Sequence, residues 1–117
     1  MIVHIISEAD WNSARERGSI VDPSLSTEGF IHCSDPGTVH QPANYKFRGR
    51  DDMVVAVIDP KLLGEVAVKW EPGDPEDEIG EAWFPHVFGE IPFEAVIRVE
   101  PFLPHEGGLY RPFTSLL

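Results

Sequence analysis

Residues 52–59 read DMVVAVID, the strongest organising signal in the chain. Met53 to Ile58 is apolar without interruption, the pattern of a strand covered on both faces, and Pro60 ends it. Upstream, MIVHII (residues 1–6) has the same character: short, β-branched and buried. Ser7 then caps a helix, with Asp10 at its third position and Ile6 and Trp11 spaced as a hydrophobic staple. That helix is expected to run to about Arg17, stopped by Gly18 in the left-handed conformation, with Trp11 and Ala14 facing the sheet. Residues 20–27 read as a loop with strand character at Ile20 and Val21. Gly29 turns the chain into a strand over Phe30–Cys33. Ser34 or Asp35 caps a second helix with Pro36 in its first turn. Val39, Ala43 and Phe47 form its apolar stripe, and Pro42 inside the stripe is expected to kink or split it. Downstream come strands at Glu65–Trp70, in FPHVFG and at Ala95–Pro101, with an acidic loop over residues 71–81. The order defines an α+β class, two N-terminal helices packed on a mixed, largely antiparallel sheet. Residues 1–117 read as a single domain, with residues 102–117 an irregular tail packed on it.

Nine Lys and Arg against twenty Asp and Glu give a net charge of −11. The one basic cluster, KFRGR at residues 46–50, is followed at once by Asp51 and Asp52. Extended nucleic-acid binding, which needs clustered cations on phosphates, is therefore not expected, whereas a small nucleotide needs only one or two Arg. Cys33 is the only cysteine, and no apolar run is long enough to span a bilayer. The first ten residues lack the basic head and long apolar body of a secretion signal. A cytoplasmic setting is the expectation. Nothing in the sequence fixes the oligomeric state, and a monomer fits it.

Three strands each carry one imidazole. His4 shares its face with Ile2 and Ile6, His32 with Phe30 and Ser34, and His86 with Phe84 and Phe88. A buried imidazole needs a hydrogen-bond partner. Three on facing strands would line one apolar pocket with a few polar points, which describes a small-molecule site. The bland alternative is three separate structural histidines. His40 and His105, on a helix and a loop, read as surface residues. The three strand histidines lack the local spacing of a zinc site, so no metal is expected. Cys33 points to the core beside Ile31, where its thiol would be inert. Ser34 has no Gly-x-Ser-x-Gly elbow around it. Arg48 and Arg50 end a helix and read as exposed residues, with the alternative that one grips a ligand phosphate through its planar fork.

Taken in order, MIVHI, SLSTEGFIHCS, FRGRDDMVVAVID, VKWE and FPHVFG resemble the bacterial and plant family called domain of unknown function 952, over nearly the whole chain to about residue 101. More distantly, EGFIHCS followed by a helix ending in ANYKF resembles ADP-ribosyltransferase-like domains. That resemblance implies a matching fold and NAD as candidate cofactor. His4 would bond a ribose hydroxyl, His32 would stack on nicotinamide, and His86 would take the third position. The superfamily often has a Glu there; Glu71 and Glu90 are the substitutes the sequence offers.

Residues and resemblance together lead to a small-ligand domain that binds NAD or a related nucleotide, with ADP-ribosyl transfer or NAD glycohydrolysis as candidate chemistry. His86 and His32 would be the catalytic residues. His4, His32, Phe30, Ser34, Arg48 and Arg50 would hold the ligand. The rivals are a non-catalytic sensor or protein-interaction module that keeps the cleft, and a metal-dependent hydrolase.

Overall fold

The computed structural model describes residues 1–73 and 82–113. At its centre lies β4 (Met53–Ile58), flanked antiparallel by β1 (Ile2–Ser7) and β8 (Val96–Pro101). Val55 to Ile58 are fully buried, as the unbroken apolar run requires. Strand alternation sends Ala56 and Ile58, with Ile2 and Ile6 of β1, into one cluster. Val55, Val57 and Val3 go into a second cluster on the other side. The first cluster takes Ala14 from α1 (Glu8–Arg17) and Ile31, Cys33 and Val87 from a second sheet. That sheet has the order β3 (Ile31–His32), β6 (Trp83–Val87), β5 (Val68–Pro72). A two-stranded ribbon of β2 (Ser19–Ile20) and β7 (Ile91–Pro92) completes the strands.

α1 has the expected ends. Ser7 Oγ accepts from the Asp10 N–H at 3.1 Å, and Gly18, at φ +94°, donates its N–H to the Ala14 carbonyl at 2.8 Å. Trp11 packs against the first cluster. Four expectations need correction. The sheet is not mixed: every pairing among the described residues is antiparallel, distributed over three small sheets. The 20–27 loop contains a helix, α2 (Pro23–Thr27), begun by Asp22, whose carboxylate accepts from the Ser24 N–H, with Pro23 at the first helical position. The second expected helix, α3, spans only His40–Lys46, after a turn over residues 35–38 closed by Asp35. Pro42 therefore falls in the first turn, where the missing N–H has no helical acceptor to lose, and it neither kinks nor splits the helix. The fifth strand begins later than expected, at Val68, and takes in Glu71 and Pro72. The rest of the expected acidic loop, residues 74–81, lies outside the described residues.

The tail packs without regular sheet or α-helix. Phe102, Tyr110 and Phe113 are buried in the second cluster with Val39 and Ala43 of the α3 region. Tyr110 is clasped at both main-chain groups: its N–H donates to Asn44 Oδ1 at 2.6 Å, and Asn44 Nδ2 donates to its carbonyl at 3.0 Å. Its hydroxyl donates to the Arg50 carbonyl at 2.6 Å. Among the described residues no helix is long and apolar enough to cross a membrane.

Ile58→Ala, in the wholly buried central strand, should cost about 2–5 kcal/mol of stability in urea denaturation. Ile97→Ala, 51% exposed on outer strand β8, should stay within about 0.5 kcal/mol of wild type.

Candidate functional site

The two three-stranded sheets touch at one bridge, where Val3 of β1 and Ser34 exchange both main-chain hydrogen bonds at 2.8 Å. Carried one step further along the antiparallel register, the bridge would set Ile5 opposite His32. His32 pairs with His86 of β6 on its other edge, and on the edge facing β1 its carbonyl accepts instead from Nδ1 of the His4 imidazole at 2.6 Å. Ile5, two residues beyond Val3, turns its main-chain N–H and C=O to the same side as Val3 does. Among the described residues no strand meets them there. A cleft of about 260 Å³ opens at this divergence, with His4, Ile5, His32 and Ser34 on its strand side. Asp22, Ser24 and Glu28 line it from α2 and the turn after it. Pro42, Lys46 and Phe47 line it from α3 and its end.

The His4 side chain is 5% exposed. A carbonyl can only accept, so Nδ1 carries the proton. Burial pushes its pKa below the ordinary histidine value and outweighs the His32 carbonyl and the Asp22 charge, which pull the other way. The ring is therefore neutral near pH 7, and Nε2 holds a bare lone pair. Nε2 is buried and has no hydrogen-bond partner; the Asp22 carboxylate oxygen lies 4.0 Å away. Burial alone would raise the Asp22 pKa, but hydrogen bonds from Ser24 and the nearby His4 and His32 outweigh it, and the net direction is down. The cleft thus presents two acceptors side by side, one neutral and one anionic.

His32 stands nearer the mouth, its side chain 36% exposed, with Nε2 on Glu28 Oε2 at 2.9 Å. Its ring meets Phe30 and His86 edge-on, at 4.9 and 5.3 Å between centroids. His86 is in contact with His32 but does not line the cleft. It is buried under Phe30, stacked at 4.0 Å, and its Nδ1 lies 2.9 Å from Glu71 Oε1. The His32 and His86 rings are thus in contact, His4 reaches the His32 main chain, and two of the three, His4 and His32, share the hollow.

Of the other expected ligand residues, Ser34 lines the cleft and Phe30 does not, because Phe30 covers His86 instead. Arg50 is forked onto Asp52 through Nε and a terminal nitrogen, and neither it nor Arg48 reaches the cleft. Lys46 is the cation of KFRGR that does. Glu71 is held on His86, and Glu90 accepts from Ser19 Oγ at 2.6 Å; neither lines the cleft. Cys33 is buried and its thiol pKa is pushed up by desolvation, as its inward direction implies. His40, expected at the surface, is partly buried with an unpartnered Nδ1. His105 is exposed. Sequence reading missed Asp22, Ser24, Glu28, Lys46 and Phe47. A signal existed for the first two: Asp-Pro-Ser is a helix start, and it sets a carboxylate at a fixed point. Glu28 and His32 are four positions apart, but they meet across the turn at Gly29 and not on the face of one helix or strand.

These features define a small α+β domain of three antiparallel sheets bearing a cleft where two of them part. The chain belongs to the family described as Protein of unknown function (DUF952), whose model matches residues 5–99. It is similar to protein CC0527 from Caulobacter crescentus. The X-ray structure of that protein gives a TM-score of 0.79 at 28% identity, covering 94% of this chain and 92% of that one. Its solution NMR structure gives 0.78 at 27% identity, covering 99% and 97%. No curated protein matches the chain.

The His4 environment carries a pH signature. Its folded pKa lies below the ordinary 6.5, so between the two values the unfolded chain binds a proton that the folded chain does not. This contribution to stability is full above about pH 6.5 and falls as pH drops through that window, by at most about 1.4 kcal/mol per unit. Denaturation curves at neutral and mildly acidic pH should show a shallower loss for His4→Gln than for wild type. An identical slope for the two would contradict a neutral, desolvated His4.

Proposed function

We propose that the cleft binds the nicotinamide–ribose portion of NAD or a closely related nucleotide. The observation that carries this reading is the buried, unpartnered Nε2 of His4. A lone pair left dry costs free energy unless a donor meets it, and a sugar hydroxyl is such a donor. Asp22 stands beside it as a second acceptor, suited to a vicinal diol. The outward main chain of Ile5 offers an N–H and a C=O together, the complement of a primary carboxamide. Pro42 and Phe47 give an apolar flank for a flat ring, and Lys46 gives a cation for a phosphate. At about 260 Å³ the cleft is just below the roughly 300–1,000 Å³ of typical ligand sites. It suits one ring and one sugar, with the remainder of the dinucleotide lying outside. The resemblance to ADP-ribosyltransferase-like domains supports the same ligand and fold.

Cleavage of such a ligand would break the C1′–nitrogen bond with both electrons leaving on nicotinamide. A water oxygen would attack C1′ and pass its proton to a base. We assign that role to Glu28, which lines the cleft beside His32, because Asp22, the other carboxylate lining it, would hold the ribose diol. A second reading, a binder without chemistry, is favoured by the engagement of Glu71 and Glu90 elsewhere. A metal-dependent hydrolase has less support. Among the described residues no group of three or more His, Cys, Asp or Glu is disposed to hold an ion.

Titration with NAD, followed through histidine ring NMR signals, should move His4 and His32 well before His105. His4→Ala should weaken binding by about 1–3 kcal/mol, roughly 5- to 150-fold, while leaving the chain folded. Silence of both rings at millimolar NAD would end the dinucleotide reading. Free nicotinamide in the product mixture separates enzyme from binder.

A further inference from the structure

β5 is an outer strand: among the described residues it pairs with β6 only. Two main-chain bonds just beyond its ends fix which groups turn inward. The Phe88 N–H donates to the Ala67 carbonyl at 2.9 Å, and the Gly73 N–H to the Ala82 carbonyl at 3.0 Å. Residues 67, 69, 71 and 73 therefore direct their main chain to β6. Val68 and Trp70 direct N–H and C=O outward, and Pro72 directs a carbonyl. Trp70 lies opposite Pro85 and Trp83 opposite Pro72, so the two indoles are diagonal neighbours on one sheet face. They are 48% and 58% exposed. An unpaired strand edge beside two exposed indoles is the kind of surface that proteins usually cover.

The order of charges along β5 names the occupant. Two copies of the strand laid antiparallel about Trp70 set Lys69 of each opposite Glu71 of the other. The two Trp70 residues exchange both main-chain bonds, and each Val68 N–H reaches the Pro72 carbonyl of the other copy. Pro72 lacks an N–H, so one bond is lost at each end. Nowhere along the strand do like charges meet. A foreign strand would match this pattern only by chance, whereas a second copy matches it by symmetry. We propose that the chain self-associates through β5. The order β3-β6-β5 is then continued by its two-fold mate, and Trp70 and Trp83 of both copies form the apolar seam. The net charge of −11 on each copy opposes the approach, so the association tightens as salt screens that repulsion. This proposal does not depend on what the cleft binds.

Sedimentation equilibrium of the full chain from micromolar to millimolar concentration tests it. The mass should climb from 13.1 kDa toward twice that value, and more readily in higher salt. Trp70→Lys should remain monomeric. Lys69→Glu, at an exposed position, sets like charges opposite each other twice and should weaken association by roughly tenfold. Adding Glu71→Lys to it reverses the pattern and should restore association. Circular dichroism checks that each variant is folded, and Lys69→Glu serves if Trp70→Lys is not. A wild-type mass fixed at the monomer value up to millimolar concentration overturns the proposal. So does a dimer that survives Lys69→Glu, or one that is dissolved by Ile97→Lys on β8 instead.

Discussion

The hydrogen bond from His4 Nδ1 to the His32 carbonyl holds the architecture of the cleft. The His32 carbonyl sits where the main chain of Ile5 would pair if the sheets ran together, and a side chain takes that place. The imidazole satisfies the carbonyl, so the strands can part without leaving it unpaired. The same bond fixes the tautomer and turns the second ring nitrogen, unprotonated, toward the hollow. Opening the sheet and creating a buried acceptor are thus one event, caused by one residue.

Around that wedge the molecule is built as two apolar layers on a single strand. β4 feeds both because its side chains alternate between them. The first layer ties the central sheet to the second sheet and to α1. The second layer ties it to α3 and the tail. His4 rises on the face of the first layer, while Pro42, Lys46 and Phe47 come from the side of the second. The cleft therefore runs past the edge of β1 and draws its walls from both layers. Its polarity follows from this: a strand histidine and the carboxylates around α2 on one side, and Pro42 and Phe47 with the Lys46 cation on the other.

Much of this was legible in the residues. The run at Met53–Ile58, the Ser7 cap, the Gly18 stop and the strand settings of His4, His32 and His86 all follow from local periodicity and backbone sterics. What remained hidden was of two kinds. Short elements such as α2 carry too few residues for a period to emerge, so only the Asp22–Pro23 start betrayed it. Relations across space, such as Glu28 on His32 or Glu71 on His86, depend on the path of turns and on cross-strand register. Arg50 misled for a related reason: its nearest carboxylate, Asp52, is only two positions away, and the pair satisfies itself. Lys46, just before it on the last turn of α3, keeps the cation that faces the hollow.

The Asn44–Tyr110 clasp ties the outer wall to a segment far along the chain. α3 has only seven residues and no side-chain cap, too little to persist by itself in water. The strands and histidines that form the floor are all in place, in sequence terms, before that clasp can close. During synthesis the floor can therefore assemble while the wall is still missing. A nascent chain acquires its complete hollow only once Tyr110 has left the ribosome.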